Sequence, residues 1–241
     1  MFMKYVRWIV CVSLLCVAPA AFADEENSDP WESFNRSIYS FNSVLDGYVL
    51  RPVAVGYRAI TPDFLEDGIA NFFSNAAEIL TILNDILQGK FAQSGEDSLR
   101  FIVNSTVGIG GFIDIGSRIG LEKHKEDFGQ TLAVWGVSDG PFVVLPFLGP
   151  RTLRDAFTYI PDSTLTLVNT VSDEPTQLGL TAMSFISLRA GLLDVESLAA
   201  GDKYSFVRDA YLQNRAFLVS DGQLSDEDLF DDGFEDDDFD E

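Results

Sequence analysis

Cysteine is nearly absent. The 241 residues hold two, Cys11 and Cys16, and both fall within the first 23. In that stretch Lys4 and Arg7 precede an apolar run from Trp8 to Ala18, and Ala21-Phe22-Ala23 has the small-x-small form of a secretory cleavage site. Residues 1–23 therefore read as a secretory signal peptide, and the expected mature chain starts at Asp24 without cysteine. That excludes disulfides, thiol chemistry and cysteine-metal sites. Neither cysteine sits in a good acylation context, since Cys16 follows Ser13-Leu14-Leu15 and Cys11 follows Ile9-Val10. The exported protein is expected to carry no lipid anchor.

Cations are scarce as well. Sixteen Lys and Arg face 38 Asp and Glu, a net charge of −22. Removing the leader takes two cations and no acid, leaving 14 against 38, or −24. Twelve of the acids lie in residues 221–241, which contain no Lys or Arg, and this acidic tail is expected to be disordered in isolation. Nucleic acid is excluded as a partner, because phosphate binding needs clustered cations. Purely electrostatic adhesion to anionic lipid fails for the same reason.

Histidine occurs once, as His124 within Glu122-Lys123-His124-Lys125-Glu126, and no GxSxG elbow exists to make a hydrolase. One histidine, no mature cysteine and no calcium-loop spacing leave no metal site, no cofactor and no catalytic residue to name. The chain reads as a non-enzyme. After Ala23 there is no run of 18 apolar residues, so nothing spans a bilayer as a simple helix. Any membrane contact must come from apolar burial.

What is present is helical periodicity. Asp29-Pro30-Trp31-Glu32 reads as a helix start, with Asp as N-cap and Pro at the first helical position. The following segment puts Phe34, Ile38, Phe41, Leu45 and Tyr48 on one face, with Gly47 as a candidate end. Thr61-Pro62 opens a longer helix whose apolar stripe runs from Leu65 through Phe72 and Phe73 to Leu87, ending at Gly89. Its polar face carries Asp63, Glu66, Asp67, Glu78 and Asp85 and no cation. Surface-adhering amphipathic helices are usually cationic, so this one is expected to pack within the protein or against a partner. Further helices are expected over 98–106, 155–170, 176–193 and 203–217. From Asp24 to Ser220 the pattern gives one mainly α domain with no large sheet.

Two segments break the period. Residues 105–120 hold five glycines in sixteen positions, each weakening a helix by about 1 kcal/mol relative to alanine. Close helix packing or a lipid-facing bend must compensate, and Phe72, Phe73, Ile109, Phe112 and Ile113 are the membrane-facing candidates. The GxGG at Gly108, Gly110 and Gly111 lacks the strand, lysine and ribose-binding acid of a phosphate loop. In the second segment, Gly136, Gly140 and Pro141 predict a turn, followed by an apolar arm of Phe142, Val144, Leu145, Phe147 and Leu148 in an irregular hairpin. The arm and turn are candidates for lipid contact or gating; the alternative is a strand or loop that packs helices. Phe41 and Asn42 are second candidates for channel geometry, and Arg118, Arg151 and Arg154 for headgroup contact.

Several motifs together resemble the VacJ/MlaA proteins of Gram-negative bacteria. They include Asp29-Pro30-Trp31-Glu32-Ser33-Phe34-Asn35-Arg36, Asn71-Phe72-Phe73-Ser74-Asn75, Leu87-Gln88-Gly89-Lys90 and Asn104-Ser105-Thr106-Val107-Gly108. The densest run is Glu126-Asp127-Phe128-Gly129-Gln130-Thr131-Leu132, then Trp135-Gly136-Val137, Gly140-Pro141, Leu148-Gly149-Pro150 and Thr152-Leu153-Arg154-Asp155. The likeness spans about residues 29–215. It implies a ring- or doughnut-like assembly of amphipathic helices in the inner leaflet of the outer membrane, with a central channel for misplaced phospholipid. It also implies a trimeric porin as neighbour and a soluble periplasmic lipid carrier of an ABC-type transport system as recipient. The family usually carries an acylated cysteine at its mature start, which this chain lacks in the right context. A soluble periplasmic lipid carrier and a porin-associated structural protein are the competing readings.

Overall fold

The computed structural model describes residues 29–195 and 201–223. The expected signal peptide and the acidic run from residue 224 onward lie outside the described residues. The chain is mainly helical, with one two-stranded antiparallel hairpin and no larger sheet among the described residues.

Helix α1 spans Glu32–Leu45 and does not stop at Gly47. It passes through a π-helical turn, Asp46–Leu50, directly into α2, Arg51–Ile60. Pro52, which has no N–H to donate one turn back, follows just after that π turn. Asp29 is not the N-cap. Trp31 holds that position, and the Asp29 carboxylate accepts hydrogen bonds from Asn35 and from the Tyr204 hydroxyl. Helix α3, Asp63–Gln88, ends at Gly89 with φ 79°, the left-handed C-terminal stop its sequence predicts. Helix α4, Phe91–Thr106, runs back along it. The glycine-rich segment then forms tight turns and a single helical turn, α5, Ile115–Arg118.

Helix α6 covers Phe128–Val134 and is capped by the Asp127 side chain. Strands β1, Phe142–Leu145, and β2, Gly149–Thr152, pair in the register Phe142 to Thr152 and Leu145 to Gly149. Helix α7, Leu153–Leu165, a short 3₁₀ turn at Leu167–Thr170, and α8, Glu174–Gly191, follow. Helix α9, Lys203–Val219, closes the described part, capped by Asp202.

Packing between elements closes on itself. α1 touches β1, β1 pairs with β2, β2 meets α7, α7 packs on α6 and α6 on α3; α3 then packs on α8, α8 on α2, and α2 returns through the π turn to α1. The interior between these elements, α4 and α9 is largely polar. Among the described residues the buried apolar ones are few: Ala54, Ala76, Phe142, Val143, Val144, Ala190 and Tyr204. The buried polar and charged residues outnumber them and include Glu78, Asp85, Asp97, Arg100, Arg154, Asp155 and Arg215. Meanwhile Ile60, Phe91, Val107, Ile109 and Leu178 are exposed. A protein made for water shows the reverse distribution.

Helix α3 shows the inversion plainly. Its buried positions are Gly68, Asn75, Ala76, Glu78, Thr81, Asn84 and Asp85, while Phe72, Leu83, Ile86 and Leu87 are exposed. The stripe is thus not wholly packed within the protein: toward the C-terminal half Glu78 and Asp85 face inward, while Asp63 and Asp67 at the start of the helix are exposed. No described helix is long and apolar enough to cross a membrane.

Candidate functional site

The hairpin is held by two asparagines on α1. Asn35 donates from Nδ2 to the Phe142 carbonyl at 3.0 Å, and its Oδ1 accepts from the Val144 N–H at 2.9 Å. Asn42 repeats the pattern further along, donating to the Leu145 carbonyl at 2.9 Å and accepting from the Phe147 N–H at 2.8 Å. Each amide thus binds the C=O of one residue and the N–H two residues later, as a neighbouring strand would. The spacing fits both elements. Seven residues of helix rise about 10.5 Å, and three residues of strand span about 10 Å. An edge strand with unpaired groups would be costly to bury, and α1 satisfies it with side chains.

The tip is built differently from the base. Phe142 and Val144 are fully buried against Tyr204, Tyr211, Leu212, Ile38 and Tyr39. Phe147 adopts φ 65°, an uncommon state for a bulky residue, and projects outward to meet Phe41 edge-on at 5.4 Å. Both of these rings are exposed. At the base, Gly136 and Gly140 have φ 89° and 66°, conformations open to glycine. The Leu153 and Arg154 N–H groups bond back to the Pro141 and Asp139 carbonyls, closing the neck of the hairpin.

Behind the hairpin the polar interior forms two ionic clusters. In the first, Arg100 is 2% exposed and pairs with Glu78 at 3.3 Å and Asp114 at 3.2 Å, while donating to the Leu121 carbonyl at 2.6 Å. Gly116 makes room for it, because a Cβ there would stand 3.1 Å from the Arg100 side chain. Next to it, Asp97 takes the His124 ring at 3.1 Å, and the buried Asp85 accepts from Gln93 at 2.8 Å. Burial, followed by hydrogen bonding with Asp97, pushes the Asp85 carboxyl well above the ordinary range. Glu78 is raised too, first by burial and then by Asp97. Glu126 bridges this cluster to Lys90, Gln88 and Gln93.

The second cluster joins α6, α7 and α9. Arg215 reaches Asp127 at 2.6 Å and Asp155 at 2.8 Å, and the Tyr211 hydroxyl donates to Asp155 at 2.6 Å. Gly129 lets the cluster lie on the helix backbone: a Cβ there would come within 2.3 Å of both Arg215 Nη2 and Asp155 Oδ1. Nothing in either cluster resembles a nucleophile with its base. His124 leans on a carboxylate with no serine in the arrangement.

The structure divides the sequence-predicted residues. Phe41, Asn42, Gly140, Pro141, Phe142, Val144, Leu145, Phe147 and Leu148 all belong to the hairpin and its α1 contact, with Gly136 at the end of α6. Within the arm Phe142 and Val144 are core, while Phe147 at the tip is open. Phe72 and Ile109 are exposed, as a membrane-facing role requires. Phe73 stacks edge-on with Phe72 at 5.3 Å, and Ile113 is half-buried. Phe112 instead packs its ring onto Gly68 of α3, where a Cβ would clash at 2.1 Å. Arg118 is exposed, and Arg151 lies 5.5 Å over the Tyr159 ring. Arg154, unlike the other two, is buried, in contact with Asp139, Asp155 and the Val137 carbonyl. Sequence reasoning missed Asn35, Arg100, Asp97 and Arg215. Asparagine twice at a two-turn helical spacing, in a residue that disfavours helix interiors, was the available signal for the first.

Comparison with known proteins places this geometry. A sequence profile described as MlaA lipoprotein matches residues 27–218. The Escherichia coli K12 intermembrane phospholipid transport system lipoprotein MlaA is 36% identical over 219 residues, covering 88% of this chain and 87% of that one. An uncharacterized protein of Rickettsia typhi is 38% identical over 199 residues, covering 79% and 78%. A solved structure described as the structural basis for maintenance of bacterial outer membrane lipid asymmetry superposes with a TM-score of 0.70 at 36% identity, covering 80% of this chain and all of the other. A polar-cored, apolar-sided helical circuit with a buttressed hairpin, matched over most of its length at this identity, belongs to the MlaA family.

Proposed function

We propose that this chain transports phospholipid, withdrawing misplaced molecules from the outer leaflet of the outer membrane and so maintaining its lipid asymmetry. The observation that carries the reading is the inverted distribution of polarity. Pulling a two-chain lipid bare into water exposes roughly 30 methylenes at about 0.8 kcal/mol each, a barrier on the order of 25 kcal/mol. A protein lowers that barrier by shape if its outside dissolves in hydrocarbon while its inside offers the headgroup hydrogen bonds. The exposed Ile60, Phe91, Ile109 and Leu178 suit the first task, and the enclosed Asn, Asp, Glu and Arg side chains suit the second. No bond is made or broken on this account.

The closed circuit of packing supports a ring around a central channel. The hairpin, rigid at its Asn35 end and less covered at its Asn42 end, is the part suited to gating. Phe41, Phe147 and Leu148 would touch lipid at the tip, and Arg118 and Arg151 would meet headgroups. The apolar belt holds the protein at the periplasmic face of the outer membrane beside a trimeric porin, and the lipid leaves to a soluble periplasmic carrier. Outer-leaflet phospholipid measured in a deletion strain tests the reading. A rise that is reversed by restoring the gene supports it, and an unchanged level with normal detergent resistance overturns it.

A further inference from the structure

A cavity of about 380 Å³ lies between β2, the start of α6, α7 and α9, within the size range of small-ligand sites. One wall is the saturated cluster of Arg215, Asp127, Asp155 and Tyr211. The remaining charges on the lining are different. Arg151 has no carboxylate within ion-pair distance among the described residues; its guanidinium lies over Tyr159 and contacts only its neighbour's carbonyl, Pro150, at 3.4 Å. Lys125 likewise makes no ion pair among the described residues. Asp162, whose carboxylate caps the Phe128 N–H at 3.0 Å, has no cation partner there either. Burial, with Asp127 and Asp155 nearby, pushes Asp162 up to about 7, so this acid stays short of positive charge even with Arg215 in the same wall.

Two cations without a carboxylate and one carboxylate without a cation thus line a single volume. A purely anionic ligand would meet Asp162, and a purely cationic one would meet Arg151 and Lys125. A zwitterion satisfies all three. We propose that this cavity recognises a phosphate ester bearing a primary ammonium, with Arg151 and Lys125 on the phosphate and Asp162 on the ammonium. This rests on the phospholipid reading and deepens it by naming the headgroup. A quaternary ammonium is a poorer fit, because it cannot donate a hydrogen bond to Asp162 and the face of Tyr159 is already covered by Arg151.

The test titrates the purified protein in detergent with three probes: short-chain phosphatidylethanolamine, short-chain phosphatidylglycerol and free phosphoethanolamine. The wild type should prefer phosphatidylethanolamine to phosphatidylglycerol about tenfold. Asp162→Asn, which keeps an acceptor for the Phe128 N–H, should bring that ratio close to one. Arg151→Ala should weaken both lipids about tenfold, and Arg151→Lys should restore most of the loss. Equal ratios in wild type and Asp162→Asn, with circular dichroism unchanged, overturn the proposal. Binding of neither lipid nor free phosphoethanolamine overturns it too, and the deletion-strain assay then reads separately whether transport survives. Free phosphoethanolamine binding as tightly as the lipid would assign the same chemistry to a soluble ligand and overturn the lipid source.

Discussion

Replacing Asn35 and Asn42 separately by alanine asks whether the hairpin is fastened at two points of unequal strength. Asn35 is fully buried and makes three hydrogen bonds, to Phe142 and Asp29 and from Val144. Asn35→Ala strands two backbone groups of β1 away from water. Each unsatisfied group costs ~1–3 kcal/mol, so the loss should be about 2–6 kcal/mol. Asn42 is only half-buried, and water can take over the Leu145 carbonyl and Phe147 N–H. Its loss should be about 1 kcal/mol, confined to the tip. Thermal unfolding in detergent gives the global effect, and amide hydrogen exchange locates it. Asn42→Ala should speed exchange at the Phe147 amide about fivefold or more while leaving Val144 unchanged. Equal destabilisation by the two variants, or no change in exchange at Phe147, would refute the two-point reasoning.

Other expectations follow from the same geometry. Gly129→Ala should cost ~3–5 kcal/mol by forcing Arg215 and Asp155 apart, whereas Gly95→Ala on the open face of α4 should gain ~0.5–1 kcal/mol; chemical denaturation that ranks them the other way contradicts the account. Asp85 has its folded pKa raised by burial. Its contribution to stability is therefore fully present below the unfolded value of about 4 and lost as pH rises through the raised folded value. Asp85→Asn should accordingly stabilise the protein by on the order of 1 kcal/mol in mildly alkaline buffer and by nothing in acid; a pH-independent difference would count against it. Gly140→Pro, which cannot hold φ 66°, and Phe147→Asp should each impair lipid asymmetry with helical signal retained, and normal asymmetry in both would remove the hairpin from the mechanism. Truncation after Ser220 deletes the exposed Lys90–Asp221 pair, and should leave the melting temperature nearly unchanged.

The periodicity of the chain made most of the fold legible. Gly89 stopped α3 where expected, Thr61-Pro62 opened it, and the broken period around Gly136 to Gly149 marked the hairpin. The orientation of α3 was not legible, because an amphipathic pattern says that two faces differ and not which one meets solvent. A buried Glu78 paired with Arg100 has the same sequence signature as a solvated Glu78. Long-range ionic contacts were hidden for the same reason: Arg215 and Asp127 are 88 positions apart. Phe142 and Phe147 show the limit within one arm. They share composition and neighbourhood, yet one is core and the other, at a turn with positive φ, is exposed.

The account depends most on hydrocarbon lying against the outward faces of the helices. Single cysteines at Leu99, Ile102 and Ile109, all exposed apolar positions, can carry nitroxide labels in protein reconstituted into bilayers. Oxygen accessibility well above that of a water-soluble nickel chelate at these positions is the predicted result. Chelate accessibility exceeding that of oxygen at all three would place those faces in water and contradict the account.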